Sequence, residues 1–204
     1  MLALSLLRMM KRIPDYPPKL IKVTRTAYGS LKLKGNNSMK PDKVSVEDIA
    51  ELRPVCLRRT VPEAYLDLNN HMNMRWYVAL FDDAGDTLHD HLGLSREFRR
   101  TSGTGTMDLE HHTWFLNEVM ADSQICVYAR MVARSAKMIH YLMFMVNESS
   151  GKVAAHFECV NALVDLEVRK TTPYPAEILT RIDAMLTEQS QLAWAPPVSG
   201  AMRV

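Results

Sequence analysis

The sequence predicts an α+β fold in which one long helix lies across an antiparallel sheet. The helix is read from residues 72–92. There Met74, Tyr77, Val78, Phe81, Leu88 and Leu92 recur at three- and four-residue intervals, while Arg75, Asp82, Asp83, Asp86, His89 and Asp90 fall mostly on the other side. The sheet is read from four runs of strand character, 106–118, 124–133, 138–147 and 153–166. Its direction is read from the links. Arg134-Ser135-Ala136-Lys137 and Glu148-Ser149-Ser150-Gly151 are short enough for hairpins, so consecutive strands run antiparallel.

In chain order, residues 1–10 are apolar, but no basic stretch precedes Leu2 and no small-residue cleavage pattern follows, so a secretory signal is not expected. Arg8, Lys11 and Arg12, with no acid before Asp15, leave a short transit peptide as the minor alternative. Pro14, Pro17 and Pro18 break any helix there, 23–33 has room for a short strand, and Gly35-Asn36-Asn37-Ser38 is loop chemistry. Ser45 followed by Asp48 is a capping signature for a short helix through Leu52, which Pro54 ends. Residues 57–66 form a candidate strand leading to a polar loop and the long helix. Residues 176–188 are amphipathic on Ile178, Leu179, Ile182 and Leu186, and 189–204 read as a loose tail. The expected division is a basic N-terminal extension over 1–55, the main domain over 56–172, and a C-terminal helix and tail over 173–204.

Composition narrows the function classes. An apolar fraction of 47% with 24% charged residues is that of a globular protein, and no apolar run approaches the roughly 20 residues that span a bilayer. The net charge of +2 hides an asymmetry: residues 1–43 carry ten Lys or Arg against Asp15 and Asp42, and the remainder has 15 basic and 21 acidic residues. The basic residues carry no interleaved aromatics of the kind that stack bases, so a nucleic-acid partner is not expected. Cys56, Cys126 and Cys159 are odd in number and far apart, which fits neither a disulfide scaffold nor a CxxC metal site and points to the reducing cytoplasm.

The chemistry concentrates in Asp67-Leu68-Asn69-Asn70-His71-Met72-Asn73, just before the positive end of the long helix, where unpaired backbone N–H groups favour an oxyanion. His89 and His91, with Asp86, Asp90 and Glu110-His111-His112, invite a metal reading. Residues two apart on a helix do not share a face, so no metal is expected.

A strand, an Asp-x-Asn-x-His-x-Asn loop, a long helix and then consecutive strands resemble the hotdog-fold acyl-thioester hydrolases of the 4-hydroxybenzoyl-CoA thioesterase-like group, over about 57–170. His71-Met72-Asn73, Trp76-Tyr77-Val78 and Phe81-Asp82-Asp83-Ala84 look most like the betainyl-CoA type, and the loop is also similar to that of acyl-ACP thioesterases. The resemblance implies a hotdog fold, with a long central helix wrapped by an antiparallel β-sheet. It further implies hydrolysis of an acyl-CoA or acyl-ACP thioester without a cofactor, and a homodimer or homotetramer with its site at a subunit interface. Many bacterial members place a catalytic Asp where this sequence has Tyr65, so that mechanism does not transfer.

Matched residue by residue, the catalytic candidates are Asp67, Asn69 and His71 with Glu118, either carboxylate activating water or attacking directly. Glu110 competes, but eight residues of strand separate it from Glu118 by about 26 Å. Backbone N–H groups near Met72 and Asn73 are the expected oxyanion donors, Tyr77 lies on the substrate side, and Arg134 and Lys137 are placed for CoA phosphates. Two rivals share this scaffold, an enoyl-thioester hydratase or dehydratase and a non-catalytic acyl-thioester-binding protein.

Overall fold

The computed structural model describes residues 43–204. The apolar start, the strand at 23–33 and all but the last residue of the basic 1–43 arm lie outside the described residues. Helix α1 is Val46–Ala50, capped by the Ser45 hydroxyl, which accepts the Asp48 N–H at 3.0 Å. Strand β1, Val55–Thr60, is shorter than the run 57–66, because Pro62 has no N–H for a ladder and the chain turns at once through a 3-10 turn at Glu63–Tyr65. The long helix α2 is Met74–His91, two residues later at its start than periodicity suggested. Asn73 ends the loop with extended backbone, and its side chain accepts the Arg75 N–H at 3.1 Å as an N-cap.

The arginine-rich link forms helix α3, Arg96–Ser102, which stops at Gly103 with φ +66°, a left-handed conformation that glycine adopts without strain. Four long strands follow: β2 Thr104–Phe115, β3 Gln124–Arg134, β4 Met138–Asn147 and β5 Lys152–Asp165. A two-residue strand β6, Lys170–Thr171, and helix α4, Ala176–Gln189, complete the elements. Strand β2 ends before Glu118, because the Leu116 and Asn117 N–H groups both turn to one carbonyl, that of Ala154. The sheet is antiparallel throughout, in the order β1-β3-β4-β5-β2, with β6 on β5. Helix α2 packs against its inner face through Tyr77, Leu80, Phe81, Ala84 and Leu88, which is the hotdog arrangement.

Both faces of β3, β4 and β5 are buried, which the β3 alternation only half disclosed. Ile125, Val127, Ala129 and Met131 face α2, and Tyr174, Ile178, Ile182 and Met185 from the C-terminal region join that core. Cys126 and Tyr128 point the other way, into a second cluster with Ile49, Leu52, Leu142 and Phe144, covered by Leu192 and Trp194. Residues 189–204 are therefore not a loose tail. Trp194 lies 3.8 Å over the Arg130 guanidinium, and the Ser199 N–H donates to the buried Glu158 carboxylate at 2.7 Å. Cys56, Cys126 and Cys159 are free thiols in this packing, and burial pushes Cys56 up to about 12, so they act as small core residues.

Gln189 is the buried joint between α4 and the sheet. Its Oε1 accepts the Met131 N–H at 2.7 Å, and its Nε2 donates to the Ala129 and Arg53 carbonyls at 3.1 and 3.2 Å. It satisfies β3 beside a register shift between Met131 and Ala133. Gln189→Ala is expected to lower unfolding free energy by about 2–4 kcal/mol, since it orphans a buried donor and acceptor together. Urea denaturation checks this, and a loss below about 0.5 kcal/mol would contradict it.

Candidate active site

The polar loop is a small closed turn. The Asp67 N–H donates to the His71 carbonyl at 3.1 Å, the Asn70 N–H to the Asp67 carbonyl at 3.0 Å, and the Asn69 N–H to Asp67 Oδ1 at 2.7 Å. Asn70 sits at φ +61°, which asparagine tolerates better than most residues. Two further bonds anchor the turn. The Met72 N–H donates to the Val119 carbonyl at 2.7 Å, and the Asn73 N–H to the Tyr65 carbonyl at 2.9 Å. The first brings the segment after β2 against the loop before α2, so Glu118 arrives beside His71, with 3.9 Å between Oε1 and Nε2.

Around this point lies a hollow of about 320 Å³, lined by Asp67, His71, Asn73, Met74, Tyr77 and Glu118 among others. Tyr77 is buried, its ring edge-on to Phe115 at 5.2 Å, and its hydroxyl donates to the Asn117 carbonyl at 3.4 Å. Burial, and secondarily the Glu118 carboxylate, push the phenol up to about 12, so Tyr77 stays a neutral donor. The hollow thus combines a half-buried imidazole, two carboxylates and a helix start.

Several expectations need correction. The Met72 and Asn73 N–H groups are spent on backbone carbonyls, so neither is open to an oxyanion. The next N–H in the chain, that of Met74 at the first position of α2, has no partner among the described residues. Asn69 is exposed on the turn and does not line the hollow. Glu110 stands opposite Val160, and His112 two residues on stands opposite Glu158, so Glu110 belongs to the outward row and lines neither hollow. Arg134 and Lys137 lie at the other end of the sheet. The Arg134 guanidinium is held by the Asp183 carboxylate of α4, Nε to Oδ1 at 2.8 Å, and the Lys137 ammonium donates to the Thr171 carbonyl at 3.2 Å.

The larger cavity, about 810 Å³, is elsewhere, in a cleft between α2 and β2–β5 that sequence reasoning missed. It is lined by Phe81, Tyr141 and Phe157, by the buried His89 and Asn161, and by Asp82, Asp86 and Asp108. A bulge between Asp108 and Glu110 is what turns Asp108 inward to accept the Asn161 amide N–H at 2.7 Å. No periodicity signals a bulge, so Asp108 had no signature of its own. Among the described residues no three His, Cys, Asp or Glu side chains converge as a metal ion would need.

The family profile of the thioesterase-like superfamily matches residues 61–182. The betainyl-CoA thioesterase of Pseudomonas aeruginosa is 30% identical over 125 residues, 61% of this chain and 78% of that relative. A Rhizobium meliloti protein named L-carnitine dehydrogenase/betainyl-CoA thioesterase is 26% identical over 132 residues, 65% of this chain but 26% of its own length. Among solved structures, a Staphylococcus aureus protein in complex with CoA superposes with a TM-score of 0.67 at 21% identity, covering 75% of this chain and 97% of that one. The chain belongs to the thioesterase-like superfamily, and it carries that class's helix-in-sheet fold.

Burial holds the His89 and His156 imidazoles down to about 4, against an ordinary value near 6.5. Their unfolded forms bind protons that the folded forms refuse. The stability they contribute is therefore present above about pH 6.5 and is lost as pH falls through about 4. His156→Phe is expected to flatten the acid limb of a stability–pH profile between pH 6.5 and 4. An unchanged limb would contradict this assignment.

Proposed function

We propose that the protein hydrolyses an acyl-CoA thioester at the hollow beside the start of α2. The observation that carries this reading is the meeting of His71, Glu118 and the unpartnered Met74 N–H around one space, in a chain of the thioesterase-like superfamily. Glu118 is the base: it takes a proton from a water held between it and His71, and the hydroxide oxygen bonds to the thioester carbon. The carbonyl oxygen becomes an oxyanion facing the Met74 N–H, where the helix dipole adds to the hydrogen bond. Collapse breaks the C–S bond, and the proton passes from Glu118 to the departing thiolate, leaving a carboxylic acid and free CoA. Asp67 positions the turn through Asn69. CoA rather than a carrier protein is read from the 30% identical relative, whose name specifies a CoA thioester.

Glu118 is three-quarters exposed, and an exposed carboxylate is a weak base. A second copy supplies the missing cover. Strand β2 is a twelve-residue edge that exposes Met107, Leu109 and Phe115, and an unpaired edge of that length invites pairing. The active form is accordingly a homodimer joined along β2, and its three free thiols support a reducing, cytoplasmic setting.

Glu118→Gln is expected to lower the rate of thiol release from acyl-CoA by about 10²–10⁴-fold with the fold intact, and Asp67→Asn by less. A thiol assay over a panel of acyl-CoAs, with an acyl-ACP for comparison, checks both. Full activity in Glu118→Gln would remove this carboxylate from the mechanism. Leu109→Lys should convert the dimer to monomer in light scattering and reduce turnover with it, while a monomeric wild type would overturn the β2 pairing.

A further inference from the structure

The side chain of Glu118 is held by very little. Its carboxylate is three-quarters exposed, and its one ion-pair contact among the described residues, to the His71 imidazole, is 3.9 Å long, beyond hydrogen-bond length. A base must come within about 2.6–3.2 Å of the proton it takes, directly or through one water. A long side chain free to turn spends much of its time elsewhere. Whatever aims this carboxylate therefore acts through the backbone.

That backbone is fastened on both sides of Glu118. The Leu116 and Asn117 N–H groups donate to the Ala154 carbonyl at 2.8 and 3.1 Å, and the Asn117 side-chain amide donates to the Val153 carbonyl at 2.8 Å. These bonds tie the segment to the start of β5. Beyond Glu118, the Met72 N–H ties the Val119 carbonyl to the loop before α2. Between the two ties stands the Tyr77 hydroxyl. It donates at 3.4 Å to the Asn117 carbonyl, which belongs to the peptide unit just before Glu118. The Val119 N–H, in the peptide unit just after, acts on the same oxygen, opposing the rise that burial imposes on the phenol. One oxygen thus meets both peptide units that flank the carboxylate-bearing residue.

The phenol is a firm anchor for such a bridge. Tyr77 stands one turn beyond the Asn73 cap, and helical side chains lean back towards the helix start, so its ring covers the first turn of α2 beside the hollow. The ring is 5% exposed and lies edge-on to Phe115, the last residue of β2. Packing sets its position before the hydroxyl makes any bond. A hydrogen bond of 3.4 Å is long, and its worth here lies in where it acts rather than in its strength.

From these contacts we infer that Tyr77 is a positioning residue for Glu118, its hydroxyl spanning the two flanking peptide units and fixing the base against the first turn of α2. The inference rests on the thioesterase reading and adds a residue to it. Tyr77 serves the base rather than the substrate.

Tyr77→Phe keeps the ring and its burial and removes only the oxygen. In the full chain, with circular dichroism unchanged, amide exchange followed by NMR should quicken by about tenfold or more at Val119. Exchange as slow as in wild type overturns the bridge. In the thiol assay kcat should fall by about 10- to 100-fold while KM stays within about twofold. The deciding comparison is made in Glu118→Gln. With the carboxylate gone there is nothing left to aim, so adding Tyr77→Phe should lower the residual rate by no more than about twofold. Losses that multiply in the double variant would give Tyr77 a direct contact with the substrate or the oxyanion and overturn the inference, as would an unchanged kcat in Tyr77→Phe alone. Asn117→Ala, which cuts the tie to Val153 and leaves the phenol in place, should lower kcat several-fold and be absorbed in the same way by Glu118→Gln; it carries the kinetic test if Tyr77→Phe does not fold, and a kcat equal to wild type then counts against the inference. Thiol release from no acyl-CoA by wild type would fail the thioesterase reading instead, while exchange at Val119 still decides whether the phenol holds this segment.

Discussion

One hydrogen bond decides where the candidate site of this molecule is assembled. The Met72 N–H meets the Val119 carbonyl at 2.7 Å, and through it the loop that opens α2 and the segment that leaves β2 become one structural unit. Without that bond Asp67 and His71 would belong to a turn and Glu118 to a strand exit, with nothing holding them at one place. The same bond consumes a donor that a free helix start would have offered. Capping by Asn73 and the Asn73–Tyr65 bond consume more, so the electrophilic end of α2 is narrowed to Met74. Position and polarity are thus set together, by the satisfaction of backbone groups rather than by the catalytic side chains themselves.

Much of this frame is legible in the residues. The three- and four-residue spacing from Tyr77 to Leu88 describes the buried face of α2, although Met74 at its start is exposed, and the links 134–137 and 148–151 make the hairpins that align β3, β4 and β5. These signals are local, and local periodicity survives folding. The losses are equally physical. Pro62 truncates β1, although the residues around it keep strand character. The fate of 189–204 depends on Trp194 finding Arg130 and on Ser199 finding Glu158, contacts across about 40 to 65 residues that no window of sequence contains. The polar loop before α2 was visible, but which of its N–H groups remain free is a property of the tertiary hydrogen-bond network alone.

The bulge in β2 is the clearest case of a non-local decision. In a regular strand Asp108 and Glu110 would share a face, and both would be either rim or core. The register shift separates them, sending Asp108 inward to Asn161 and leaving Glu110 in the outward row. A single inserted residue therefore turns Asp108 toward the cleft and leaves Glu110 outside it. Strand β2 is also an edge of the sheet, so the bulge lies in an element that borders both the cleft and solvent.

The charge pattern of α2 follows the same division. A helix favours anions at its start and cations near its end, yet Asp82, Asp83 and Asp86 stand in its middle and later turns, where the dipole gives them no help. Arg59, Arg96 and Arg99, from β1 and α3, neutralise Asp83 and Asp86 from outside. Asp82 is left bare on the side that faces Phe81, Phe157 and Asp108. Partial burial and the neighbouring Asp108, Asp86 and Asp83 carboxylates hold Asp82 above the ordinary aspartate value. Stability alone supplies no reason to retain it. The helix is polarised into a donor end at Met74 and an acidic flank at Asp82, about 12 Å apart along one axis.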